Sequence, residues 1–313
     1  MDDKKRKEKK EEAVCVTGAN GFIGSWLVKT LLEEGYTRIH ASVYPASDSS
    51  HLLNLPAACG LPPHDINITI FEADLLDADA VARAIEDCHG VFHVASPCTL
   101  EDPTDPQAEL VLPAVQGTLN VLQAALRFGV RRVVLTSSIS AMVPNPSWPP
   151  HKPFDESSWT DLDYCKARQK WYPVSKTLGE KAAWDFAEKH GLDVVAIHPA
   201  TCLGPLLQPS TLNASCAVLL NLLHGSDDTQ EYLCTNGTFQ FSHFADTVSK
   251  LYPQFPLHRF SEETQPGLKE CKDAAKRLID LGMVFKPVED AVRDTVESLK
   301  AKGFLKQEMF PSN

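Results

Sequence analysis

The chain has 313 residues, of which 43% are hydrophobic and 23% charged, and its formal net charge is −11. This length allows a substantial core, and the acidic balance argues against a nucleic-acid-binding surface. The longest apolar stretches fall well short of the roughly 18 residues that suggest a membrane span. Residues 1–12 are a charge run with no apolar segment behind it, which predicts a disordered tail and a cytoplasmic protein.

Nine cysteines are scattered along the chain without a C-x-x-C pair or an accompanying histidine cluster. This spacing fits neither a disulfide framework nor a metal site. We therefore expect reduced, mostly buried thiols and no bound metal.

A glycine-rich turn near the amino terminus organises the rest of the chain. The apolar run 13–16 leads into Gly18, Gly21 and Gly24, and an amphipathic stretch, 22–34, follows. A strand, a tight turn and a helix in this order bring backbone N–H groups and the positive helix N-terminus to the pyrophosphate of a dinucleotide. The sequence therefore predicts dinucleotide binding.

Strand and helix patterns alternate along the first part of the chain. The predicted strands are residues 13–16, 38–44, 66–71, 90–96 and 131–136, and the predicted helices are 22–34, 77–88, 106–128 (interrupted by Pro113) and 171–190. Such alternation indicates an α/β fold with a Rossmann-type, doubly wound parallel sheet, whose ligands bind at the carboxyl edge of the strands.

The ends of the second and third predicted strands supply candidates for the adenosine half of the cofactor. Tyr44 ends the second strand, where such folds contact the ribose. The polar loop 47–51 behind it either binds a phosphate or is simply solvated. Asp74 and Leu75 follow the third strand, at the position that contacts the adenine.

The fourth predicted strand ends in small residues, Ala95 and Ser96, which let a cofactor pass close to the backbone. His93 lies inside this strand. We expect it to be a hydrogen-bonded core histidine rather than a ligand.

Tyr172 and Lys176 form the candidate catalytic pair. They are four residues apart at the start of a predicted helix and so project from one face, and Pro173 is tolerated in the first turn. An ammonium beside a phenol lowers the pKa of the phenol from about 10. Such a phenol can act as a general acid at a carbonyl oxygen. Upstream, the fifth strand delivers Ser137 and Ser138 to the same edge of the sheet.

Taken together, these motifs resemble those of the extended short-chain dehydrogenase/reductases, and more narrowly the plant cinnamoyl-CoA reductase, dihydroflavonol reductase and phenylacetaldehyde reductase group. The segments that carry the resemblance are 17–24 (TGANGFIG), 93–97 (HVASP), 136–138 (TSS), 172–176 (YPVSK), 182–184 (AAW) and 198–205 (HPATCLGP). The resemblance covers about residues 13–302.

The resemblance implies carbonyl reduction with NADP(H) rather than NAD(H). Tyr172 would protonate the substrate oxygen, Lys176 would bind the nicotinamide ribose and tune Tyr172, and Ser138 would hydrogen-bond the carbonyl, with Ser137 as the alternative. The candidates for cofactor binding are Gly18, Asn20, Gly21, Phe22, Ile23, Gly24, Tyr44, Asp74, Leu75, Ala95, Ser96, Tyr172, Lys176, Pro199, Ala200 and Thr201. Relatives that prefer NADP often carry Arg where Tyr44 stands.

Two departures from the cinnamoyl-CoA reductases concern the substrate. Those reductases read Cys-Tyr-Gly/Ala between the catalytic Tyr and Lys, whereas residues 173–175 read Pro-Val-Ser here. They also place His and Lys on a later helix for the phosphates of coenzyme A, and the matching residues here are Val218 and Asn221. Both departures favour a free aldehyde or ketone, aromatic or aliphatic, over a CoA thioester.

A third departure concerns the domain organisation. Relatives carry a strand and a helix, about 25–30 residues, between the positions matching Tyr232 and Leu233, which are adjacent here. We therefore predict an NAD(P)-binding domain at 13–200, a substrate lobe at 201–303 that lacks this unit, and a tail at 304–313. Helices are predicted at 241–251, 265–281 and 288–302.

Two functions follow from this sequence. The first is an NADP(H)-dependent oxidoreductase acting on a small aldehyde or ketone. The second is a catalytically impaired isoform that binds the dinucleotide but lacks a productive substrate pocket. A sugar-nucleotide epimerase shares the Ser/Tyr/Lys chemistry and is a more distant alternative. No oligomeric state is predicted.

Overall fold

The computed structural model describes residues 12–98, 103–149, 152, 154–155, 157–224, 241–255 and 276–305. The strands are β1 (Ala13–Thr17), β2 (Arg38–Val43), β3 (Asn67–Glu72), β4 (Cys88–His93), β5 (Arg132–Thr136) and β6 (Val194–Ile197). They form one parallel sheet in the order β3-β2-β1-β4-β5-β6. The strand order reverses between β1 and β4, where such sheets bind their ligands. The predicted Rossmann-type fold is confirmed.

The helices that the described residues form are α1 (Phe22–Glu33), α2 (Ser50–Ala58), α3 (Ala78–Ile85), α4 (Leu112–Arg127), α5 (Leu162–Ala167), α6 (Trp171–His190), α7 (Ala214–Leu223), α8 (Phe241–Leu251), α9 (Lys276–Asp280) and α10 (Val288–Ala301). Single 3-10 turns occur at Pro63–Asp65 and Ile139–Ala141, and a π-helical turn at Gln107–Val111 precedes α4. None of these helices is long and apolar enough to cross a membrane.

The sheet is held by a core in which apolar helix faces pack on β-branched strand residues. All of β1 is buried. On one face of the sheet, Ile85 of α3, Leu122 of α4 and Ala183 of α6 join Val133 of β5 in one cluster. Each fully buried Leu, Ile or Val side chain contributes about 1.5–3 kcal/mol. This packing fixes the carboxyl ends of the strands, on which the site is built.

Several element boundaries differ from the predictions for local physical reasons. Helix α2 was not predicted, because its nine residues include Pro56 and follow a serine-rich loop. The third helix ends at Ile85 rather than residue 88, because Asp87 adopts a left-handed conformation (φ +64°) and the chain then enters β4. Pro113 does not interrupt a helix; it lies in the first turn of α4, where its missing N–H is tolerated.

The described residues divide into two compact units: those up to Pro144 with Thr160–His198, and Asn145–Trp159 with those from Pro199 onward. The first unit contains the sheet. In the second, α7 buries Leu219 and Leu222, α10 buries Val292, and the backbone N–H of Leu206 donates to Ser298 Oγ at 2.8 Å.

Several sequence predictions lie outside the described residues. These are the junction between Tyr232 and Leu233, most of the helix expected at 265–281, and the terminal residues 1–11 and 306–313. Seven of the nine cysteines are described, and these seven form no disulfide with one another.

Candidate active site

At two positions of the amino-terminal turn, neighbouring backbone atoms lie so close that only glycine fits. Gly18 has φ +65°, and a Cβ on it would lie 2.9 Å from Ala95 Cα, beyond the end of β4. A Cβ on Gly24, in the first turn of α1, would lie 2.1 Å from the carbonyl oxygen of Gly18. Both distances are too short for any side chain. The turn, the helix and β4 therefore meet at the switch point of the sheet.

The start of α1 fits the pyrophosphate of a dinucleotide. Gly21 is the N-cap residue, it is exposed, and it provides no side-chain cap to the first-turn N–H groups that include those of Phe22 and Ile23. A twelve-residue helix places partial positive charge at this end. A phosphate would satisfy these N–H groups without a side chain in the way.

A buried network joins the turn to β4. Thr17 Oγ1 accepts hydrogen bonds from the backbone N–H groups of Val94 and Ala95, each at 3.1 Å, so its own hydrogen points to His93 Nδ1 at 2.8 Å. His93 therefore carries its proton on Nε2 and donates it to Thr118 Oγ1 at 3.2 Å. Burial, with the charge of Lys176 adding to it, lowers the pKa of His93 to about 3. The expected core histidine is confirmed.

The loop behind β2 is tied to the glycine turn. Asn20 Nδ2 donates to Ser47 Oγ at 2.9 Å and to the carbonyl oxygen of Asp48 at 3.0 Å. The Asp48 carboxylate accepts the N–H of Ser50 at the start of α2. Tyr44 lies just beyond β2 and is 65% exposed. These hydrogen bonds order the loop, and both of its predicted roles stay open.

The segment after β3 is positioned by α4. Asn120 Nδ2 donates to the carbonyl oxygen of Leu75 at 2.7 Å, and a Cβ on Gly117 would lie 2.7 Å from Leu75 Cβ. Asp74 Oδ1 accepts the N–H of Leu76 at 2.9 Å. Asn120 and Gly117 thus hold Leu75, one of the predicted adenine-binding residues, in place. Sequence reasoning missed both, because each lies 42 or more positions from Leu75.

Tyr172 and Lys176 lie on the first two turns of α6. Lys176 Nζ is 5.9 Å from the centre of the Tyr172 ring and donates to the carbonyl oxygen of Thr136 at 3.3 Å. Lys176 is only 9% exposed. Burial lowers the pKa of its ammonium to about 8, although Cys98 and Glu180 act in the opposite direction.

The two serines after β5 have different surroundings. Ser137 is buried and its hydroxyl donates to Glu180 Oε2. Ser138 Oγ accepts the N–H of Ser140 at 3.1 Å, so it keeps a hydroxyl hydrogen that a substrate oxygen could accept. Cys98 interacts with the catalytic pair. Desolvation raises the pKa of its thiol, while the charge of Lys176 and a hydrogen bond with Tyr172 lower it.

Glu180 is a site residue that sequence reasoning missed. It lies one turn beyond Lys176, is 4% exposed, and accepts hydrogen bonds from Ser137, from Trp184 Nε1 at 3.0 Å and from His198 Nε2 at 2.8 and 2.9 Å. Burial acts to raise the pKa of Glu180, but the hydrogen bonds and the charge of His198, with those from Ser137 and Trp184, outweigh it and leave the pKa lowered. The sequence signal that could have identified Glu180 is its position four residues after Lys176, which places both side chains on one face of the helix.

Pro199, Ala200 and Thr201 continue the chain directly beyond His198. All three are partly buried and belong to the second compact unit, whereas Tyr172, Lys176 and Ser138 belong to the first. Their assignment to the nicotinamide stays a prediction.

A parallel sheet with a glycine turn at its switch point, and a Tyr/Lys helix at its carboxyl edge, defines a Rossmann-type oxidoreductase that uses a dinucleotide. The chain belongs to the NAD dependent epimerase/dehydratase family, whose profile matches residues 14–251.

Individual relatives define the group more narrowly. The chain is 39% identical to cinnamoyl-CoA reductase 1 of Petunia hybrida, with 94% of each chain covered. Its fold is similar to that of vestitone reductase from alfalfa (TM-score 0.75, 30% identity, 94% of this chain and 100% of the other). It is also similar to the yeast methylglyoxal/isovaleraldehyde reductase Gre2, solved with NADPH (TM-score 0.73, 26% identity, 94% and 100% covered). The resemblance to the plant reductases and the oxidoreductase class are confirmed.

Proposed function

We propose that this chain reduces an aldehyde or ketone to an alcohol with NADPH. The observation that carries the proposal is the pairing of a buried Lys176 with Tyr172 on one helical face, beside Ser138 at the carboxyl edge of the sheet. The cofactor is NADP(H), in keeping with the NADPH bound to the yeast relative.

Reduction adds a hydride to the carbonyl carbon and a proton to its oxygen. NADPH, when bound, supplies the hydride. Tyr172 supplies the proton from its phenol, and Ser138 donates a hydrogen bond to the same oxygen as negative charge develops there. Lys176 stabilises the phenolate that Tyr172 becomes, because its ammonium is held near the ring by burial and by the carbonyl of Thr136.

The turn residues Gly18, Gly21 and Gly24 hold the pyrophosphate at the start of α1. Residues 44–51 contain no Lys or Arg to pair with a 2′-phosphate. That group would instead be held by uncharged donors of this loop, such as the hydroxyl of Tyr44. We therefore expect NADPH to be preferred over NADH by a smaller margin than a cation would give.

The substrate is proposed to be a free carbonyl compound, aromatic or aliphatic, rather than a CoA thioester. Val218 matches one of the two positions that bind the phosphates of coenzyme A in the cinnamoyl-CoA reductases. It is apolar and 5% exposed. A buried Val offers no donor and no charge to a phosphate.

The second candidate is the impaired isoform that binds a dinucleotide without turnover. The alignment with the petunia enzyme spans 325 positions, more than the 313 residues of this chain, so it contains gaps opposite this chain. A missing strand and helix would produce such gaps. The cofactor half would be unaffected, because the glycine turn and α6 lie in the first compact unit.

A two-stage experiment separates the candidates. Thermal melts are recorded without cofactor and with NADPH or NADH; both candidates predict a transition raised by NADPH, because ligand binding stabilises the folded state by mass action. NADPH oxidation is then followed with a panel of aromatic and aliphatic aldehydes and ketones and one CoA thioester. Oxidation that depends on an aldehyde or ketone supports the reductase, whereas a raised melt with no substrate-dependent oxidation supports the impaired isoform. A melt that does not respond to NADPH contradicts both.

A further inference from the structure

Glu180 is buried and charged, yet the proposed chemistry gives it no role. It lies on the same helix as Tyr172 and Lys176, one turn beyond Lys176. Its two carboxylate oxygens accept hydrogen bonds from three different side chains. A carboxylate that is 4% exposed is costly to bury unless such bonds compensate.

The three donors to Glu180 come from separate parts of the fold. Ser137 lies at the end of β5, directly before Ser138, and His198 lies at the end of β6, directly before residues 199–201. Trp184 lies on α6 itself, one turn beyond Glu180. The backbone N–H of Ser137 also donates to the carbonyl oxygen of Ile197 at 2.8 Å. Glu180 thus joins the helix of Tyr172 and Lys176 to the ends of both strands.

We infer that Glu180 is a positioning residue of the proposed reductase: it fixes the ends of β5 and β6 against α6, beside Ser138 and one helical turn beyond Lys176. The inference rests on the proposed function for its kinetic readout. Glu180 does not touch the proposed substrate oxygen; it acts through Ser137, His198 and Lys176.

Cys98 and Glu180 are the two groups whose negative charge acts to raise the pKa of Lys176, Cys98 the more strongly. Tyr172 and Glu180 are on the same helix, His93 faces Lys176 from β4, and Cys98 faces it from the segment after β4. His93 is neutral near pH 7, because burial holds its pKa at about 3. Desolvation raises the pKa of the Cys98 thiol, which keeps it protonated and uncharged at that pH. Glu180 is ionised, because its pKa is lowered, and its carboxylate also contacts Nε2 of His198, directly beyond β6, at 2.8 Å.

The test compares Glu180→Gln with Glu188→Gln, which removes an exposed negative charge from the same helix. We expect Glu180→Gln to lower kcat about tenfold or more while the KM for NADPH stays within about twofold, because the strand ends shift relative to α6. The fall of kcat at alkaline pH should begin at a lower pH than in the natural protein, because a negative charge that favours the Lys176 ammonium has been removed. Glu188→Gln should change neither quantity.

A second readout does not need turnover. Lysines labelled with 13C at Cε are titrated by NMR, and the Lys176 signal is assigned from its loss in Lys176→Arg. Its midpoint should move to lower pH in Glu180→Gln and stay in place in Glu188→Gln. If Glu180→Gln does not fold, Ser137→Ala and His198→Ala, which each remove one donor, should lower kcat with little change in the KM for NADPH.

The outcomes for the inference and for the proposed function are distinguishable. If none of the carbonyl compounds supports NADPH oxidation by the natural protein, the proposed function is contradicted. The Lys176 titration then decides the role of Glu180. A folded Glu180→Gln with the kcat, the alkaline fall and the Lys176 midpoint of the natural protein overturns the inference. If only Ser137→Ala and His198→Ala are available, unchanged kcat in both overturns the inference.

Discussion

The hydroxyl of Thr17 lies 2.8 Å from Nδ1 of His93, and that hydroxyl already accepts two backbone N–H groups. The imidazole must therefore accept at Nδ1, which requires the neutral ring. One neutral side chain thus connects β1, β4 and α4 directly behind the glycine turn.

This requirement predicts an acid-sensitive contribution to stability. The pKa of His93 falls from 6.5 in the unfolded chain to about 3 in the fold, so the unfolded state binds the proton first as the pH drops. His93 therefore stabilises the fold fully above pH 6.5 and loses this effect progressively down to pH 3. Between pH 7 and pH 5 the loss is about 2 kcal/mol.

The measurement is urea unfolding at pH 7 and pH 5. His93→Gln should be less stable at pH 7 and should show a smaller drop between the two pH values. His64→Gln removes a side chain that is 82% exposed and should behave like the natural protein. Equal pH dependence in the natural protein and His93→Gln would contradict the assignment of a neutral His93.

Removal of one oxygen at Tyr172 tests the proposed general acid. Tyr172→Phe should lower kcat for carbonyl reduction by at least about 100-fold, because no other group then supplies the proton. The Kd for NADPH, measured by fluorescence titration, should stay within about twofold. Tyr164→Phe, on α5, keeps the ring that packs on Arg168 at 3.8 Å and should retain activity. Full turnover in Tyr172→Phe would exclude the phenol as the acid.

The depressed pKa of Lys176 predicts a pH limit on the reaction. Its ammonium should lose its proton above about pH 8, far below the 10.5 of an ordinary lysine, and kcat should then fall. Lys176→Arg keeps a positive charge throughout this range, because a guanidinium does not deprotonate there. It should have lower kcat but no fall near pH 8. A fall at the same pH in both proteins would assign it to another group.

Gly24 should tolerate no side chain. Its Cβ would lie 2.1 Å from a backbone oxygen that cannot rotate away, so Gly24→Ala should cost about 3 kcal/mol of unfolding free energy and abolish the NADPH-induced rise in melting temperature. Gly90→Ala is the matched control, because its Cβ would make an ordinary 3.7 Å contact with Val14. Similar stability losses in the two variants would show that the turn adapts.

A cation at the end of β2 should sharpen cofactor preference. Tyr44→Arg places a guanidinium on an exposed position beyond Val43, where it can pair with a 2′-phosphate. The ratio of kcat/KM for NADPH to that for NADH should rise about tenfold. Tyr44→Gln lacks the charge and serves as the control. An unchanged ratio in Tyr44→Arg would mean that the ribose lies elsewhere.

The sequence predicted those features whose causes are local. The glycine spacing at 18, 21 and 24 and the four-residue spacing of Tyr172 and Lys176 depend on turn and helix geometry within one segment, and the alternation of five strands with helices indicated the parallel sheet. Strand β6 was missed because its four residues are too few for a clear pattern.

Features set by tertiary contacts were not predictable in this way. Glu180 and His198 are 18 residues apart and meet only because β6 pairs with β5 beside α6. The bond between Thr17 and His93 depends on the β1–β4 register, which pairs these two residues. A single sequence contains no signal for such pairings, since they follow from how the strands are arranged.

The contact between Trp184 and Glu180 gives this helix an optical reporter of its own. The indole N–H donates to the carboxylate at 3.0 Å, while the ring is 38% exposed to solvent. Indole emission depends on nearby charge and hydrogen bonding, so the Trp184 signal, isolated as the difference between the natural protein and Trp184→Phe, should change when cofactor or substrate alters the Glu180 carboxylate. Events at the reaction centre can then be timed in unlabelled protein.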